Sequence, residues 1–113
     1  MKKIAMINCL RAGRICAGAA CMDAFNNRKA SFAEYGEEEL QLTAFMRCNG
    51  CDVDPGEDKG TLDKLGRIIR SRPDAVHFGI CTKKQKSGQE CEIITRIAGM
   101  LEDRGINTVR GTH

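Results

Sequence analysis

Seven cysteines, at positions 9, 16, 21, 48, 51, 81 and 91 of a 113-residue chain, are with His77 and His113 the residues best suited to chemistry. An odd number of thiols cannot all pair within one chain, and disulfides rarely persist in a reducing compartment. The apolar run Ile4 to Ile7, behind Lys2 and Lys3, stops at Asn8. That is shorter than a signal-peptide core and far short of a membrane span, so a cytoplasmic location is expected. The thiols then need a role other than cross-linking: metal ligation or dithiol exchange.

The pair Cys48-Asn49-Gly50-Cys51 carries the most information. Two cysteines three apart can chelate a tetrahedral metal or cycle as a dithiol, and Asn-Gly between them tolerates the positive φ of a tight turn. Cys21 also fits as a small core residue, and Cys16 and Cys91 as solvent-facing loop thiols. His77 lies inside an apolar segment, where a hydrogen-bonded core histidine is the favoured reading.

Composition narrows the other classes. Hydrophobic residues make up 42% of the chain and charged residues 29%, which fits one folded domain spanning residues 1–113. A net charge of +3 is too mild to imply nucleic acid or an anionic membrane as partner. The loop Gly56 to Gly60 contains Glu57 and Asp58, which would repel a phosphate, and no aromatic residue there could stack on a flavin. Two histidines at these spacings make no Ser-His-Asp site. The lysines at 83, 84 and 86 could meet an acidic partner, although a solvated loop is their default reading.

Four apolar segments read as strands: Lys3 to Asn8, Glu39 to Arg47, Ala75 to Ile80 and Ile106 to Arg110. Between them lie three helical patterns. The first spans Gly18 to Arg28; the second has Leu62, Leu65, Ile68 and Ile69 behind Thr61 as N-cap and stops at Arg72-Pro73; the third has Ile94, Ile97, Ala98 and Leu101 before a C-terminal Gly105. Alternating strands and helices predict an α/β fold: a small doubly wound parallel sheet in the order 2-1-3-4, flavodoxin-like, with helix one on one face and helices two and three on the other.

On that scaffold every cysteine falls at one edge. Cys9, Cys48 and Cys81 follow strands one, two and three, His113 lies just beyond strand four, and Cys16, Cys21, Cys51 and Cys91 lie in the following loops or first helical turns. This is the carboxyl edge, where open α/β sheets bind their ligands. The loops there are long, whereas the returns at the other edge are short, except that between residues 29 and 38.

With strands about 4.8 Å apart, Cys48 and His113 start roughly 14 Å from each other, beyond the reach of one zinc. Thiolates spread along the rim therefore suggest an iron–sulfur cluster, or two metal sites, more than a single zinc. The expected grouping is Cys9, Cys48, Cys51 and one of Cys16 or Cys21 on one side, with Cys81, Cys91 and His113 on the other. Binding would deprotonate the thiols and release protons. A redox partner protein is the expected associate; a metal-free oxidoreductase using Cys48 and Cys51 is the alternative.

Across essentially its whole length the chain resembles the CGGC-domain proteins. The likeness rests on a first strand ending at Cys9, Gly18-Ala19-Ala20-Cys21, Phe45 ahead of the central motif, Gly79-Ile80-Cys81 and the closing Gly111-Thr112-His113. The central motif here has Asn49 in place of the first glycine. The resemblance implies metal binding through cysteines and histidines, matched by Cys9, Cys48, Cys51, Cys81 and His113, and implies no established reaction.

Overall fold

The structure, a computed structural model, describes residues 1–84 and 87–113; Lys86 of the lysine group lies outside them. Its centre is the four-residue run Ile4 to Ile7, fully buried because the strand is covered on both faces. This strand, β1 (Lys2–Asn8), pairs in parallel with β2 (Leu40–Arg47) on one side and β3 (Ala75–Phe78) on the other, and β3 pairs with β4 (Thr108–Arg110). The order is β2-β1-β3-β4, as the sequence predicts. Helix α1 (Ala19–Asn27) covers one face with Cys21, Ala24 and Phe25 against Ile4 and Met6. Helices α2 (Lys59–Ser71) and α3 (Glu92–Glu102) cover the other, where Leu65, Ile68, Ile94, Ile97 and Leu101 meet Ala5, Ile7, Val76 and Phe78.

One irregularity decides how the site is divided. The β1–β2 register shifts between Ile4 and Ala5, which face Leu42 and Ala44, so Thr43 is an extra residue in β2. A bulge of this kind reverses the alternation of all that follows. Leu40 and Leu42 pack on the α1 side, while Ala44, Met46 and Cys48 pack on the α2–α3 side.

Several boundaries differ from the sequence pattern for identifiable reasons. Helix α2 begins earlier than Thr61, because the Asp58 carboxylate is the cap that accepts from Thr61 N at 2.9 Å and Thr61 Oγ1 at 2.7 Å. Leu62 of its stripe stays exposed. Strand β3 stops at Phe78, since Ile80 to Thr82 form a 3-10 turn in which Thr82 N donates to the Gly79 carbonyl. Strand β4 starts only at Thr108. Gly105, at φ +77°, lets Ile106 N reach the Leu101 carbonyl and Gly105 N the Glu102 carbonyl, the paired bonds of a Schellman cap.

The long return between residues 29 and 38 contains a 3-10 helix over Ala30–Tyr35 and belongs to the core. Phe32 is completely buried and stacks on His77 with ring centroids 4.3 Å apart. His77 is fully buried too, with Nδ1 2.9 Å from the Gly111 carbonyl and Nε2 2.7 Å from the Tyr35 hydroxyl. A neutral ring satisfies both: Nδ1–H donates and Nε2 accepts. Burial lowers its pKa from the usual histidine value, against smaller opposing effects of the Gly111 carbonyl and Glu34. The unfolded chain therefore binds this proton more readily than the folded one. Stability contributed by neutral His77 should be complete above about pH 6.5 and fall as the pH drops from there toward the folded-state pKa. Urea midpoints at pH 7.5 and 5 should show the decrease, and His77→Gln should flatten it.

Candidate metal centre

The carboxyl edge begins where the three longest strands end. Cys48 N donates to the Asn8 carbonyl and Gly79 N to the Ile7 carbonyl, so the ladder runs right up to the cysteine-bearing loops. All seven cysteines are free thiols. Three of their sulfurs accept backbone N–H groups: Cys81 Sγ from Cys9 N at 3.3 Å, Cys48 Sγ from Leu10 N at 3.4 Å, and Cys16 Sγ from Gly18 N at 3.3 Å. Donors aimed at sulfur favour the thiolate and are a recognised means of tuning metal–sulfur centres.

The sheet sorts the thiols by face. Partial loss of water around the Cys51 thiol raises its pKa, Arg11 pulls it down, and charge on Cys91, Cys9 and Cys48 raises it. Cys81 is raised chiefly by burial; the Cys9 N–H opposes this, and charge on Cys9, Cys21 and Cys16 reinforces it. Cys48 and Cys91 pack on the α2–α3 side, with Cys51 in the same turn as Cys48, and make one group; Cys21 packs on the α1 side and, with Cys16 just ahead of α1 and Cys81 beyond β3, makes the other; Cys9 follows the end of β1 between them, and its N–H donates to Cys81 Sγ.

The grouping expected from the sequence followed strand order along the edge, and the packing of the thiols against the two cores groups them differently. Cys91 joins Cys48 and Cys51 because it packs against the α2–α3 core, and Cys21 joins Cys81 because α1 is on the opposite face. His113 is exposed and lines a small pocket with Ile80, Thr82, Lys83 and Arg110, on the β4 side of Cys81. Among the described residues, no three His, Cys, Asp or Glu side chains already close around a single ion.

Each group has its own support. The Cys48–Cys51 turn is held through Asn49, whose Nδ2 donates to Asp58 Oδ2 at 2.8 Å and whose Oδ1 accepts from Lys64 Nζ at 2.6 Å. Lys64 also donates to the Arg47 carbonyl. The Asp58 carboxyl is held below the usual range, first by Asn49 and then by Thr61. The residue that departs from the Gly-Gly pattern thus ties the turn to the start of α2. Removing its amide with Asn49→Ala should loosen the turn while α2 keeps its cap. The expected result is faster alkylation of buried Cys48 with little change in helix content, measured by mass spectrometry and circular dichroism.

On the α1 side, Cys21 Sγ lies 3.1 Å from Thr112 Oγ1 and 3.8 Å from Asn8 Nδ2, all three residues being buried. Arg47 donates to the Cys16 carbonyl and lies against Gly13, bringing a positive charge to this group. Sequence reasoning passed over Asn8 and Thr112. The available signal was a polar residue at the last position of a strand otherwise buried on both faces.

No curated protein matches the chain, and no solved structure does. A family model does: that of the CGGC domain matches residues 3–113, essentially the whole length, and the chain belongs to the CGGC-domain family.

Proposed function

We propose that this protein binds a metal through thiolates at the carboxyl edge of its sheet, with an iron–sulfur cluster as the group and electron transfer or redox sensing as the role; zinc is the alternative metal. The observation that carries this reading is that Cys9, Cys48 and Cys81 follow the ends of three adjacent parallel strands, with backbone N–H groups directed at the sulfurs of Cys16, Cys48 and Cys81. The donor chemistry fits: soft thiolates, nearby Arg11 and Arg47, and partly buried positions that limit water.

Cys9, Cys48, Cys51 and Cys91 would hold metal on the α2–α3 side, and Cys9, Cys16, Cys21 and Cys81 on the α1 side. A cluster would supply one-electron redox chemistry; the chain's part is to present thiolates, direct N–H groups at sulfur and shield the site. Ligand sulfurs around one zinc stand within about 4 Å of each other, whereas a polynuclear cluster spaces them more widely. Thiols arising from three strand ends, each step about 4.8 Å, suit the wider spacing. A redox protein is the matching partner.

Metal-free dithiol exchange at Cys48 and Cys51 is the weaker reading. The exposed thiol of the pair, Cys51, is raised rather than activated, and seven residues separate it from the start of α2, so no helix N-terminus acts on it. Purification without oxygen, followed by iron, sulfide and zinc analysis, tests the assignment. Brown protein with sulfur-to-iron charge-transfer absorption and matching iron and sulfide is expected. Colourless protein carrying only zinc would remove the redox role, and disulfide reductase turnover by metal-free protein, lost in Cys51→Ser, would favour the dithiol reading.

A further inference from the structure

Among the described residues three buried side-chain polar atoms have no hydrogen-bond partner, Arg28 Nε, Arg47 Nε and Asn8 Oδ1, and the last is the only acceptor of the three. Asn8 is 3% exposed, and this oxygen is buried without any hydrogen-bond partner. Buried carbonyl oxygens are nearly always satisfied, and leaving one unpaired is costly. The position offers an explanation. Asn8 ends β1 on the same face as Ile4 and Met6, which puts its side chain at the carboxyl edge on the α1 side.

Its surroundings are those of a donor set. Nδ2 faces Cys21 Sγ at 3.8 Å, a long contact, while Oδ1 lies over Gly79. A Cβ at Gly79 would overlap Oδ1 and would stand 3.3 Å from Cys81 Sγ, so the oxygen and that sulfur flank one spot. The Cys81 sulfur is meanwhile held by Cys9 N. Glycine at 79 leaves this space to the carboxamide and the thiol.

We propose that Asn8 is a metal-binding residue of the α1-side group, its Oδ1 acting with Cys81 and the neighbouring thiols on a borderline divalent cation. The proposal rests on the metal-binding reading above and adds an oxygen donor to it. It gives this side a mixed sulfur and oxygen donor set, while the α2–α3 side has sulfur alone. Borderline divalent ions accept such mixed sets, whereas the softest ions would favour the all-sulfur group.

Cobalt(II) is the probe, added to the reduced, metal-free full chain without oxygen, with affinity and ligand-field absorption both recorded. The parent should bind with d–d bands of a low-symmetry tetrahedral site. Asn8→Ala should weaken the α1-side site by about tenfold or more and move those bands, while leaving the contribution of the other group intact. Asn8→Asp keeps an oxygen there and adds a charge, so it should bind at least as tightly as the parent with shifted bands. An Asn8→Ala protein with parental affinity and spectrum would overturn the assignment of Asn8 alone. Should that variant fail to fold, Asn8→Asp decides: an unchanged spectrum and affinity would equally overturn it. A parent chain that takes up no cobalt would overturn both this proposal and the metal-binding reading.

Discussion

Cys9→Ser is expected to remove most metal binding from both groups of thiols, a larger effect than any other single cysteine substitution. Cys9 follows the end of β1, between Cys48 beyond β2 and Cys81 beyond β3, and its N–H already donates to Cys81 Sγ. Its position at the end of the central strand makes this possible, since β1 alone has neighbours on both sides among the cysteine-bearing strands. Serine keeps the backbone N–H that donates to Cys81 Sγ, so the variant removes a ligand while preserving the local geometry. Loss of an outer partner of a metal typically lowers affinity by about 10–100-fold, and loss of a shared ligand should exceed that. Cys91→Ser and Cys16→Ser should each affect one group and leave the other. Chelator competition on the three variants, with metal counted per chain, checks this. Equal losses in all three would show that the thiols act as one undivided set, and no loss in Cys9→Ser would remove the bridging role.

Most of the frame that holds these thiols is written in local sequence. The apolar runs at Ile4 to Ile7 and Ala75 to Phe78 can be satisfied only by cover on both faces, and the stripe Ile94, Ile97, Ala98 and Leu101 fixes one of the covers. Placing every cysteine at the carboxyl edge follows from the element order alone. The division of the edge does not. It depends on whether Cys48 faces α1 or α2, and that is set by the extra residue Thr43, five positions upstream, in a strand whose composition gives no sign of a bulge. His77 and the return from 29 to 38 show the same limit. Phe32 and Tyr35 read as loop residues until tertiary packing places them against the buried ring. Asn8 is a related case: a lone polar residue at a strand end acquires its surroundings from Gly79 and Cys81, more than seventy residues away.

Gly79→Ala is expected to destabilise the protein by about 1–3 kcal/mol, the usual cost of forcing an extra carbon into a packed interior. Backbone strain is not the reason, because Gly79 has φ −64° and ψ 157°, a conformation alanine adopts freely. The added Cβ would overlap Asn8 Oδ1 and lie 3.0 Å from Asn8 Cγ and 3.3 Å from Cys81 Sγ. None of these can retreat easily. Asn8 is anchored in a strand paired on both sides, and Gly79 itself is fixed by its N–H bond to the Ile7 carbonyl. If the clash with the carboxamide carries the cost, Asn8→Ala should relieve it, and the double variant should be more stable than the sum of the single effects predicts. A favourable coupling of at least about 0.5 kcal/mol would lie outside the additivity seen for independent sites. Urea unfolding of the four proteins measures it. Strict additivity would mean that Gly79 and Asn8 do not share this space, and would take with it the steric reason for a glycine ahead of Cys81.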